Sequence, residues 1–201
     1  IDTTFRFMDQ YCAYTVKIDG KLVGQQSMLS NYNYLCLLSI TLEGKNGLKD
    51  DGTPKDTLDG NKTGTTLNIE CCAPVIIRNL AITRGKSEYG GGIYYNKSHS
   101  NLTIADGAVI SGNEAVYSGG GVYAEVWSNL TMTGGVISSN SSQKGGGVYI
   151  YSNGKFEMTG GTISGNVASS SGGGVYMDEN AKMYMSGMAV IGDSTATSSA
   201  T

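Results

Sequence analysis

The sequence predicts an all-β chain wound as a right-handed parallel β-helix of about seven coils, and three observations lead there. A glycine–aromatic motif recurs at a nearly fixed interval, apolar residues alternate ahead of glycine turns inside each interval, and no segment between them carries a helical period. The motif reads GGGIY, GGGVY, GGGVY and GGGVY from Gly90, Gly119, Gly145 and Gly172, in steps of 29, 26 and 27 residues. A second marker follows each: NLTIADGAVISGN, NLTMTGGVISSN, KFEMTGGTISGN and KMYMSGMAVIGD. Each unit reads strand, turn, strand, turn, strand. Such short strands in about 27 residues fit one coil that rises by one strand spacing, roughly 4.8 Å.

The middle strand carries the count toward the N-terminus. Its inward pairs are Val16/Ile18, Ile40/Leu42, Val75/Ile77, Leu102/Ile104, Leu130/Met132, Phe156/Met158 and Met183/Met185. The long step between the second and third contains KDDGTPKDTLDGNKTG, whose turn residues predict a protruding loop over 45–64. One β-helix domain over 1–193 is expected, with 1–12 as an N-terminal cap, 90–193 as the regular repeats and the Ser/Thr/Ala-rich 194–201 as a tail or linker. Asn113, Asn140 and Asn166 recur at one place in their turns, with Asp193 in the fourth, and predict a hydrogen-bonded ladder along the stack.

Composition agrees. The chain has 30 Gly, 2 Pro and only 15% charged residues, a mixture unlike helical bundles or highly charged disordered chains. A net charge of −3 without basic runs gives no electrostatic case for nucleic acid or an anionic membrane. No run of about 18 apolar residues exists to span a bilayer. The chain opens at Ile1 without a basic segment and apolar run, as expected of a mature chain or a fragment.

Candidate sites follow from the strand period. If Ile or Val of each motif points inward, Tyr94, Tyr123, Tyr149 and Tyr176 form an outward column, followed by Asn96, Glu125, Tyr151 and Asp178, with Trp127 close by. Rings edged with amides and carboxylates suit a sugar chain or a protein surface. Two other readings stand beside this one: a ladder that only shields a strand surface, or a reversed parity that puts the tyrosines in the core. Cys12, Cys36 and Cys71 each precede the first inward residue of their coil by four, a thiol column in which an axial disulfide and small buried thiols are both open; Cys72 points the other way. Asp50, Asp51, Asp56 and Asp59 offer carboxylates for calcium or simply a solvated loop. No cofactor is expected.

The units from Gly145 to Asn166 and the passage from Leu37 to Tyr95 resemble the pectate-lyase-like β-helices of bacterial surface proteins, especially the repeats of polymorphic outer-membrane adhesins. The resemblance spans about Tyr14 to Asp193. The glycine motif here is GGGVY rather than GGA, and Ile110, Ile137 or Ile163 replaces the phenylalanine of the adhesin FxxN motif. It implies a secreted or cell-surface, adhesin-like module whose partner is a glycan or a protein of a host or neighbouring cell. The family's enzymes place an Arg or Lys base, or paired carboxylates, in one groove. Here Arg78 and Arg84 have no carboxylate at a matching column of the next coil, and Glu157 lies between Thr131 and Tyr184. A non-catalytic binding role is expected, with a polysaccharide lyase or hydrolase, active or degenerate, as the alternative. Open strand edges at the coil ends make end-to-end self-association a further one.

Overall fold

The computed structural model describes residues 3–7, 13–30, 39–71, 73–96 and 98–196. The chain is an all-β parallel solenoid of about six turns with about 27 residues per turn. Among the described residues three faces are seven-stranded sheets and a fourth has five strands, and every inter-strand ladder is parallel. In one regular coil the faces are Ile93–Tyr95, Asn101–Ile104, Val109–Ser111 and Glu114–Ser118, after which GGG returns the chain to the first face at Val122–Ala124. They are called here the tyrosine, middle, isoleucine and short faces.

The fourth strand per coil departs from the three-strand reading. The short-face segments, such as Ser141–Lys144 and Val167–Ser171, are polar and lack apolar alternation. They turn only small groups inward, with Ala115, Ser142 and Ala168 buried, because the interior is narrow at that side. Elsewhere the core is a set of in-register columns. Leu67, Ile93, Val122 and Val148 stack on the tyrosine face; Ile40, Val75, Leu102, Leu130 and Phe156 on the middle face; Leu58, Ile82, Ile110, Ile137 and Ile163 on the isoleucine face; all are at most 1% exposed. Burying each such side chain contributes about 1.5–3 kcal/mol.

The glycines of the motif have a steric cause. Gly119 holds φ +69°, and the next position must let two coils touch. A Cβ on Gly120 would lie 2.4 Å from the Ser141 carbonyl oxygen and 2.5 Å from that of Gly146, so only a hydrogen fits between coils at this corner.

Several boundaries differ from expectation. Strand Ala13–Ile18 pairs with Tyr14 opposite Ile40 and Val16 opposite Leu42, two residues away from the expected Val16–Ile40 register. Tyr14, Val16 and Ile18 alternate equally well in either register, so alternation alone does not fix it. Within the expected loop 45–64, Thr57–Asp59 is a regular strand between Lys21–Val23 and Ala81–Thr83, because Leu58 completes the buried isoleucine-face column. The true excursion precedes it and closes on a Leu48–Pro54 bridge. Thr3–Phe7, expected in a cap, is a strand paired with Gln26–Ser30. Thr195–Ala196, expected in a tail, pairs with Val167–Ala168. Among the described residues no helix is long and apolar enough to cross a membrane.

Candidate functional site

The four motif tyrosines face outward in strict register, Tyr94 opposite Tyr123, Tyr123 opposite Tyr149 and Tyr149 opposite Tyr176. Their rings stack with centroids 5.5, 5.2 and 5.1 Å apart and planes within 9° of parallel. That spacing follows the coil rise, so each inner ring has both faces covered by its neighbours. Tyr123 and Tyr149 are accordingly only 6% exposed. The column points away from the core, yet it presents ring edges and hydroxyls rather than faces.

The hydroxyls are fixed by the neighbouring outward column. Tyr94 donates to Glu125 Oε1 at 2.8 Å and Tyr149 to Asp178 Oδ2 at 2.6 Å, each reaching one coil further along. Burial first, and these carboxylates second, raise the Tyr94 and Tyr149 hydroxyls far above the ordinary tyrosine value; burial and the Glu125 charge do the same for Tyr123. Tyr94, Tyr123 and Tyr149 stay neutral and protonated at physiological pH.

What ligand could reach lies around this floor. Tyr89 and Tyr117 rise from the short face, their rings 5.4 Å apart, and Tyr89 also stands 5.3 Å from Tyr123 at 58°. Tyr151 leans over Tyr123 and Tyr149 from the other side, 6.4 Å from each. With Glu125, Gln143 and Lys144 they enclose a groove of about 500 Å³. Tyr89, Tyr117 and Tyr151 are each about 40% exposed and present free aromatic surface. Lys144 sits over the Tyr176 ring at 5.3 Å. Sequence reasoning found the floor and Tyr151 but missed Tyr89 and Tyr117, since their strands lack the alternating signal. Their place just before GGG was the available cue, because the glycine corner folds the short face against the tyrosine face.

Trp127, expected beside the tyrosines, is not in this groove. It stands at the turn between the tyrosine and middle faces, edge-on to His99 at 5.9 Å, and lines a separate depression with Lys155, Lys182 and Tyr184.

The asparagines form a hydrogen-bonded chain. Asn113 Nδ2 donates to Asn140 Oδ1 and Asn140 Nδ2 to Asn166 Oδ1, both at 3.0 Å, and all three residues are buried. Ser194, not Asp193, terminates the chain, its Oγ accepting from Asn166 N at 3.3 Å. Asp193 stands one position earlier, with φ +46°, where Gly112, Ser139 and Gly165 also have positive φ.

The acidic residues do not converge on a cation. Asp51 bonds Thr53, while buried Asp56 accepts from Gly20 N, Asn46 N and Asn46 Nδ2 at 2.6–2.7 Å and pins the excursion to the preceding turn. Buried Asp59 pairs with Lys21 and, at 3.1 Å, with Arg84. Burial works to raise both carboxyls, but these donors outweigh it and hold both below the ordinary value. No group of three metal-ligating side chains occurs among the described residues. The two arginines do have carboxylate partners, on the preceding coil: Arg78 meets Glu43 at 3.1 Å and Arg84 meets Asp59. Cys71 is buried in the core; Cys12, Cys36 and Cys72 lie outside the described residues, and with them the thiol column.

No family model matches the chain, and searches of curated proteins and of solved structures found no match. Fold and groove therefore define a class by architecture alone: a parallel β-solenoid with a rigid tyrosine floor beneath exposed aromatic rings.

Proposed function

We propose that the chain is a non-catalytic binding module, secreted or at a cell surface and adhesin-like, that lays a glycan chain or a segment of a host or neighbouring-cell protein along the tyrosine groove. One observation carries the reading: Tyr89, Tyr117 and Tyr151 offer open ring surface over a floor that cannot collapse. Rings held this way give apolar contact at low entropy cost, while Glu125, Gln143 and Lys144 supply hydrogen bonds for orientation. Of the two partners the glycan fits better, since an open trough suits an extended chain. The reading as a non-catalytic module draws support from Asp59, whose carboxyl Lys21 and Arg84 hold below the ordinary value, and from the engagement of Glu43 and Glu157 by Arg78 and Lys155.

The test is a glycan and protein array probed with the native chain and with Tyr117→Ala. Binding to a restricted glycan set, lost in the variant at unchanged melting temperature, is the expected result. Equal binding by both would contradict this site, and unsaturated or reducing ends released from polygalacturonate would favour a lyase or hydrolase instead.

A second reading rests on the last coil. Tyr184, Met185, Met188, Val190 and Ile191 are exposed there, Met188 at 87%. An apolar end with unpaired strand edges suits end-to-end association. Light scattering across a concentration series distinguishes the two, as only a stacking module grows with concentration.

A further inference from the structure

We propose that the depression around Trp127 is a second binding site, for a carboxylate-bearing saccharide, separate from the tyrosine groove. Its volume is about 400 Å³, and Trp127, Asn153, Lys155, Asn180, Lys182 and Tyr184 line it. Two independent features there run against what stability alone would select.

The first is the backbone of Trp127. His99, Trp127, Asn153 and Asn180 occupy one column of left-handed residues, with φ of 61°, 59°, 60° and 57°. Asparagine suits that conformation because its amide satisfies the local backbone, and two of the four positions use it. Tryptophan does not suit it, and burial does not compensate here, since Trp127 is 51% exposed. A bulky aromatic held in a disfavoured conformation at the surface is the kind of strain that accompanies a contact role.

The second is charge. Lys155 and Lys182 are direct partners on adjacent strands, an unfavourable like-charge pair. Lys155 is partly neutralised by Glu157 Oε2 at 2.8 Å, and its ammonium lies 5.2 Å over the Tyr184 ring. At the position equivalent to Glu157, the Lys182 strand carries Tyr184, and Lys182 has no ion pair among the described residues. An anion between the two strands would answer Lys182.

Together these groups describe a ligand with an apolar face for Trp127 and Tyr184, hydroxyls for the Asn153 and Asn180 amides, and a carboxylate for Lys182. An acidic sugar combines all three. An acidic peptide would answer the lysine but gives no flat carbon face to the two rings.

Trp127 is the chain's single tryptophan, so its emission reports this site directly. Titration with hexagalacturonate should give a saturable change, with cellohexaose and decaglutamate binding about tenfold or more weakly. Lys182→Gln should weaken hexagalacturonate about tenfold, while Tyr117→Ala should leave it unchanged. Trp127→Asn, followed by calorimetry, should abolish binding while its melting temperature holds or rises, because Asn fits the column. No saturable response to hexagalacturonate, equal binding of cellohexaose or decaglutamate, or undiminished binding by either Trp127→Asn or Lys182→Gln would overturn the proposal.

Discussion

The two halves of the solenoid stack the same way but hold their corners by different chemistry. From Ala13 to Arg84 successive coils are fastened by charge at strands and turns alike: Asp56 collects three donors, Asp59 lies between Lys21 and Arg84, Glu43 meets Arg78, and Asp19 meets Lys45. From Gly85 to Ser194 the fastening is mostly neutral and repetitive, the exposed Lys86–Glu114 pair apart: an amide chain on the inside of one corner, a tyrosine stack on the outside of another, and glycines between. The first half can therefore absorb an irregular excursion, because each ion pair is local. The second half cannot, since every ladder member satisfies the one before and the one after it.

That difference can be broken from either side. The largest effect is expected in the neutral half. Asn140 Oδ1 accepts from both Asn113 N and Asn113 Nδ2, and its own Nδ2 donates to Ile110 O and Asn166 Oδ1. Asn140→Leu leaves several of these groups buried without partners, and a loss of about 3 kcal/mol or more is expected in urea unfolding. Asp59→Asn in the charged half should lose less, about 1–2 kcal/mol, since Lys21 and Arg84 are half exposed and regain water.

The pH response separates the halves more gently. Asp56 and Asp59 have lowered folded values, so their contribution is complete above the unfolded value of about 4 and is lost as pH falls through the folded values. Tyr94, Tyr123 and Tyr149 have raised folded values, so theirs is complete below about 10 and is lost as pH rises through the folded values. Acid should open residues 13–83 first, seen as early hydrogen exchange in peptides from that half. Alkali should ionise these three tyrosines only as strand circular dichroism is lost. Ladder ionisation ahead of unfolding, or acid opening that begins in 90–193, would remove the distinction.

How far the sequence could be read follows the same division. In the neutral half the period exposed the inward columns from Leu102 to Met183 and the positions of Asn113, Asn140 and Asn166, because one geometry repeats and each residue type answers one place in it. In the charged half, Leu58 was hidden inside an acidic turn-rich stretch, and the Val16 register was ambiguous between two equivalent alternations. The groove was half legible. Tyr123 and Tyr149 announced themselves by repetition, and repetition is what stacking demands; Tyr89 and Tyr117, whose open rings suit a ligand, occur singly in strands without pattern. Trp127 was misplaced because two residues along the chain cross a corner there, from one face to the next.

Floor and contact surface separate within a single coil, at Tyr149 and Tyr151. Tyr149 is stacked on both sides and bonded to Asp178, whereas Tyr151 is 38% exposed. Tyr149→Ala should lower unfolding stability by about 3 kcal/mol, and Tyr151→Ala should leave it within about 0.5 kcal/mol while removing the array binding that Tyr117→Ala removes. A stability loss at Tyr151 equal to that at Tyr149, or binding that survives Tyr151→Ala intact, would contradict that separation.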